Sequence, residues 1–174
     1  MRGSRRFCPG AITAIAAVAL VVASACAGPR APGFAATFES PEALAAAVLE
    51  GVERRDAVRL RELALSEHEF RKWVWPRLPA GRPEVNMPFD YFWKDLSLKS
   101  EASLASTVAE FGGRRLTLRR IEFGGETSDY GPFKVSREAR LTVADSQGLE
   151  RRIQVCGSMI EAGGRWKVFS YVVD

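Results

Sequence analysis

The stretch GGRRLTLRRIEF, residues 112–123, is where the chain changes its period. Ahead of it, Leu104, Val108 and Phe111 recur at helical spacing, and Gly112-Gly113 stops that run. Within it, Leu116 and Leu118 alternate with polar residues. Ile121 and Phe123 continue the alternation one step out of phase, which predicts a β-bulge at Arg119-Arg120. The chain before this point reads as helix and loop, and the chain after it as strand. Helices first and strands second is an α+β layout.

Working forward, Gly124 to Gly131 reads as a loop. Phe133, Val135, Ala139, Leu141 and Val143 form one long alternating strand, turned by Asp145-Ser146-Gln147-Gly148. A third strand carries Ile153, Val155, Gly157 and Met159 and is turned by Gly163-Gly164. The fourth, Trp166 to Val173, is apolar on both faces and is expected to lie centrally or to be covered at its end by helices. The expectation is therefore a curved antiparallel sheet of about four strands.

Working backward, Ser40-Pro41-Glu42 opens a helix with an N-cap, a proline at the first helical position and an acid in the first turn. Asp56 caps a second, shorter helix. Ser66-Glu67-His68-Glu69 is a capping box opening a helix that Pro76 closes. Four prolines between Pro76 and Pro88 predict a loop, followed by the aromatic cluster Phe89 to Trp93 and a helix from Ser100 to Phe111.

The N-terminus is of another kind. Arg2, Arg5 and Arg6 precede the apolar run Ala11–Ala23, which at 13 residues is short of the roughly 20 needed to cross a bilayer. No acidic residue appears until Glu39. A positive start, a short apolar run and small residues leading to Cys26 are the marks of an export signal. Residues 1–25 are expected to be removed, residues 26–38 to form a flexible tether rich in Pro, Gly and Ala, and residues 39–174 to form one domain.

Removing the signal leaves 22 basic and 21 acidic residues, so the basic balance of the precursor does not carry over. A nearly neutral domain gives no global reason to expect a nucleic-acid partner. Arg54-Arg55, Arg114-Arg115, Arg119-Arg120 and Arg151-Arg152 are scattered and expected on solvent faces. Of three cysteines, Cys8 leaves with the signal and Cys26 sits at its exit, so Cys156 has no internal disulfide partner and is expected to be packed within a strand. Zinc and redox cysteine spacings are absent and His68 is the only histidine, so neither a metal site nor a cofactor is expected.

Two resemblances extend this reading. Val22-Ala23-Ser24-Ala25-Cys26 resembles the lipobox of bacterial lipoproteins, although Ala23 stands where that family usually has leucine. The resemblance implies a lipid on Cys26, cleavage just before it, and a mature protein anchored to a membrane of the bacterial cell envelope. Ser4-Arg5-Arg6-Phe7 is similar to a twin-arginine signal but out of step with it, so the export route stays open. The helices, the strands and the ending Gly163-Gly164-Arg165-Trp166-Lys167-Val168-Phe169-Ser170-Tyr171 resemble the NTF2-like, cystatin-like cone fold over residues 39–173. Ser40-Pro41-Glu42-Ala43-Leu44 followed by Arg55-Asp56-Ala57 is similar to that family's first two helices, while Pro76–Trp93 is outside its pattern.

The cone resemblance implies a pocket between helices and sheet. Some of its members act there as isomerases or dehydratases with an aspartate or histidine and a tyrosine, and others only bind. The acid–base candidates here are Asp90 with Tyr91, Asp129 with Tyr130, and His68 with Glu67 or Glu69. Each also has a plainer role: Asp90 as a helix cap, Asp129 in a turn, and His68 on an exposed first turn. Trp73, Trp75, Phe89, Tyr91, Phe92 and Trp93 are expected to fill the open end of the cone. The alternative is a docking face, with Trp75, Tyr91 and Trp93 as the contacts to a ligand or partner. Three functions are consistent with this: a tethered domain binding a small apolar ligand or envelope protein without catalysis, an isomerase- or hydratase-type enzyme, and a structural or assembly lipoprotein.

Overall fold

The computed structural model describes residues 32–173. Cys26 and the signal stretch lie outside the described residues. The order is α1 (Pro41–Glu53), α2 (Ala57–Leu63), a single turn α3 (Glu67–Glu69) that widens into a π-helical stretch Phe70–Val74, three short 3-10 turns between Trp75 and Val85, and α4 (Phe89–Phe111). Seven strands follow: β1 (Thr117–Phe123), β2 (Thr127–Asp129), β3 (Lys134–Arg137), β4 (Ala139–Ala144), β5 (Glu150–Ile153), β6 (Ser158–Ala162) and β7 (Arg165–Ser170).

The architecture is α+β, with two antiparallel sheets in place of the single sheet of about four strands. One has the order β1-β4-β5 and the other β2-β3-β6-β7. The expected second strand, Phe133–Val143, breaks at Glu138, whose φ of 53° is left-handed and turns the chain from β3 into β4. The expected third strand breaks opposite it, between β5 and β6, where Gly157 accepts from the Ala139 amide at 3.2 Å and donates to Ser170 at 3.1 Å. A side chain at Gly157 would overlap the Val172 carbonyl oxygen, so only glycine allows the strands to come this close. Period-2 counting does not see such paired breaks, because the alternation runs through them. Gly124–Gly131, expected as a loop, contains β2, which pairs with β3. The predicted bulge is present as a register shift between Leu118 and Arg120.

The helix starts follow the sequence. The Ser40 hydroxyl accepts from the Ala43 amide, Asp56 from the Arg59 amide, and Ser66 and Glu69 form the reciprocal capping box. The aromatic cluster and the helix expected from Ser100 are one element, α4. Neither glycine nor proline interrupts residues 89–111, Ser97 bonds back to the Lys94 carbonyl, and Ser100 accepts from the Tyr171 amide.

Two apolar cores lie on opposite sides of β6 and β7. Leu44, Val48, Val52, Leu60, Leu63 and Leu104 join Leu141, Met159 and Val168 in the first. Phe70, Val74, Phe133, Val135 and Ile160 form the second, with Trp75, Phe89, Phe92, Trp93 and Phe169 packed against it. β7 therefore presents Trp166 and Val168 to one core and Phe169 to the other, which is why its sequence is apolar on both faces. In its sheet β7 is an edge strand. Phe38 pairs with Trp166, and the Leu65 amide donates to the Val168 carbonyl, so chain from the helical half covers the exposed edge.

Candidate functional site

The capping box does more than start a helix. The Glu69 carboxylate accepts at one oxygen from the Ser66 amide and hydroxyl, both at 2.9 Å, and at the other from the Ala35 amide at 2.7 Å. Facing it from β7 is Lys167, whose Nζ lies 3.4 Å from Glu69 Oε2 and donates to the carbonyls of Ala35 at 2.7 Å and Glu62 at 3.1 Å. The two side chains are 2% and 9% exposed, for Lys167 and Glu69 respectively. A charge this deep is tolerated only when paired and fully hydrogen-bonded, and here both conditions hold.

Burial pushes the Glu69 carboxyl up, but the Ser66 and Ala35 hydrogen bonds and the Lys167 charge outweigh it and leave its pKa below the ordinary carboxylate value. Burial lowers the Lys167 ammonium below the ordinary lysine value, with Glu69 opposing. Lys167 also neutralises an end of α2. The Glu62 carbonyl and the Leu60 carbonyl, which accepts from the Tyr171 hydroxyl at 2.6 Å, are among the last-turn acceptors without a helical partner. Lys167 of β7 and Tyr171 just beyond it therefore cap α2 from outside.

The same network fixes residues 34–38. Ala35 bonds both charged groups, Phe34 packs on the second core, Arg165 donates to the Thr37 carbonyl at 2.8 Å, and Phe38 pairs with β7. Residues expected at the domain end of the tether are instead a docked strap, so the folded unit starts about five residues earlier than residue 39. Composition hid this, because Ala35, Ala36 and Thr37 read as linker while the bonds to the charged pair are made by the Ala35 backbone; the flanking Phe34 and Phe38, each packed on a core, were the signal. Beside the strap is a cleft of about 500 Å³ reached by Gly33, Ala36, Arg61, His68, Glu69 and Lys167.

The sequence candidates are scattered. Asp90 is in the first turn of α4, where Pro88 holds the cap position, and its 86%-exposed carboxylate pairs with Arg71 at 2.7 Å. Tyr91 is exposed. Asp129 accepts from the Gly131 amide at 2.8 Å and pairs with Lys134 at 3.6 Å, a turn role at the surface. His68 is exposed on α3 but borders the cleft. Trp75 and Trp93 are half-buried in the second core, around Phe70 and Phe92. Trp73 stands apart, with Lys72 over its ring. Cys156 is buried and its thiol is pushed up to about 12 by burial. Where the cone resemblance implies a pocket, Leu44, Val48, Leu60, Met159, Val168 and Tyr171 fill the space, each 2% exposed or less.

Lys167 escaped the sequence reading, and Glu69 entered it only as a capping-box residue and a possible partner of His68, yet a signal was there. Lys167 is the one charged residue inside the doubly apolar run Trp166–Tyr171, a position that demands a partner once the strand is placed between two cores.

A second groove, about 410 Å³, runs between α2 and α4 over Leu104, Ala105 and Val108, with the bidentate Arg61–Glu101 pair at its rim. Among the described residues, no three His, Cys, Asp or Glu side chains gather as a metal site would require, and no helix is long and apolar enough to cross a membrane. No family model matches the chain, and no curated protein or solved structure is significantly similar to it.

Proposed function

We propose that this chain is an exported lipoprotein of the bacterial cell envelope, anchored through a lipid on Cys26, whose domain binds a small apolar ligand or an envelope protein without catalysis. The observation that carries the reading is the docking of residues 34–38 on the Lys167–Glu69 pair. The first fixed residue of the domain follows Cys26 by eight positions, so the lipobox-like stretch leads almost directly into a rigid body. That is the arrangement of a domain hung close to a surface.

The absence of catalysis is supported by how the charged groups are used. Glu69 and Lys167 spend their hydrogen-bonding capacity on the strap, the capping box and the end of α2, leaving neither a free base nor a free amine. The isomerase or hydratase alternative keeps one supporting observation, the place of His68 on the cleft. The assembly alternative has the exposed Val85, Met87 and Tyr91 around the start of α4. The NTF2-like assignment is part of the same proposal. It is supported by the order of α1, α2 and the bent antiparallel strands, while the turns between Trp75 and Val85 and the filled interior depart from it.

The test is Cys26→Ser in an expressing bacterium. The variant is expected to accumulate as unprocessed precursor lacking lipid. Release of a normally trimmed soluble domain overturns the lipoprotein reading.

A further inference from the structure

The domain is close to neutral overall, but its charge is divided between its layers. Described residues before Arg114, the helical layer, hold ten basic and thirteen acidic side chains, whereas residues 114–173 hold eleven basic and seven acidic ones. The excess of the sheet half shows most clearly on the outward face of β1-β4-β5. Ile121, Leu141 and Ile153 occupy one rung and turn toward the first core, so the alternate residues turn outward. Arg120, Thr142 and Arg152 share one outward rung, and Glu122 with Arg140 the next. Arg119, displaced by the bulge, is exposed at the same strand.

The carboxylates on this face are outnumbered. Glu122 alone serves both Arg120 at 2.7 Å and Arg152 at 3.7 Å, and these two arginine side chains stay 69% and 65% exposed. Glu138 pairs with Arg140, and Glu150 reaches Arg119 only at 3.7 Å. Solvent-exposed pairs of this kind contribute little whatever their length, and release a guanidinium to a better anion at little cost. A planar guanidinium takes two phosphate oxygens at once.

We propose that the outward face of β1-β4-β5 docks on an anionic phospholipid surface. Charge complementarity and the short length of chain between Cys26 and the described residues select this occupant. Cys26 precedes the first described residue, Pro32, by six residues, so the leash reaches at most about 20 Å. A domain of this size is itself roughly 35 to 40 Å across, so one of its faces always lies near the surface that holds the lipid. An anionic surface repels the helical layer and attracts the arginine face, which sets the orientation. The leash rests on the reading of Cys26 as the lipid-bearing residue, whereas the face does not.

The experiment separates the two by using residues 26–174 with Cys26→Ser, which carry no lipid and retain every described residue. Sedimentation with vesicles of phosphatidylcholine containing 30% phosphatidylglycerol is compared with phosphatidylcholine alone. Binding is expected to the anionic vesicles only and to fall steeply with added salt. The triple variant Arg120→Gln, Arg140→Gln, Arg152→Gln is expected to bind at least tenfold more weakly, because it withdraws three basic residues from the anionic surface. Arg77→Gln, Lys94→Gln, Lys99→Gln removes equal charge from the helical layer and is expected to leave binding unchanged. Equal loss from both triple variants, binding to neutral vesicles, or tighter binding to DNA of matched phosphate concentration overturns the proposal. None of these outcomes depends on whether Cys26 is lipidated.

Discussion

Replacing Lys167 with methionine tests whether the strap is held by a charge network or merely covered by it. Methionine keeps most of the stem, so the change removes the ammonium and little volume. Three interactions go with it: the bonds to the Ala35 and Glu62 carbonyls and the pairing with Glu69. Leaving a buried carbonyl without its donor costs roughly 1 kcal/mol or more each, and stranding a buried carboxylate brings the total to about 3–5 kcal/mol. Glu69→Gln keeps the shape but loses the charge, and is expected to cost about 2–3 kcal/mol. Because both substitutions break one network, the double variant should fall short of the sum by about 1 kcal/mol or more. Urea unfolding of residues 26–174 reads these values, a loss of 3 kcal/mol moving the midpoint by about 1.5 M for a slope near 2 kcal/mol per M. Limited proteolysis supplies a local readout, with new cleavage expected within residues 32–38 in either variant. Single losses below about 0.5 kcal/mol, or full additivity, would mean that the charge network does not hold the strap.

Further outcomes follow from the same structure. The folded pKa of Glu69 lies below the ordinary carboxylate value, so its contribution is complete above about pH 4.5 and is lost as pH falls through the folded value. An acid titration of stability should show that loss in the parent, and Glu69→Gln should flatten it. Lys167 acts in the opposite range: its folded pKa is below the ordinary lysine value, so stability should rise as pH climbs from the one to the other, and Lys167→Met should remove that rise. Tyr171→Phe leaves the Leu60 carbonyl unpaired inside the first core and should cost about 1–2 kcal/mol in the same urea assay. Gly157→Ala drives a methyl group into the Val172 backbone and should cost more than about 3 kcal/mol or abolish folding, checked by circular dichroism and thermal melting.

What the sequence disclosed about the fold was local. The caps at Ser40, Asp56 and Ser66, the bulge before Arg120 and the turns at Gly148 and Gly163-Gly164 depend on neighbouring residues alone, and each is present. The division into two sheets was hidden because Glu138 and Gly157 break their strands without breaking the alternation. The start of α4 was missed although Phe89, Phe92, Trp93 and Leu96 stand at helical spacing, because this stripe packs on the second core while Leu104 and Phe111 pack on the first, so the apolar face shifts along the helix. The Lys167–Glu69 network joins positions almost a hundred residues apart through backbone groups of Ala35 and Glu62, whose side chains signal nothing. Arg119, Arg120, Arg140 and Arg152 look like scattered decoration along the chain and come onto one face only when β1, β4 and β5 are placed in register.

The lipid anchor on Cys26 is read out by mass spectrometry of the N-terminal peptide of the protein purified from the membrane fraction of an expressing bacterium. A peptide that begins at Cys26 and carries a diacylglyceryl group on its thiol is expected. A peptide beginning at Met1, or one beginning at Cys26 or Ala27 without lipid, would contradict the lipid anchor.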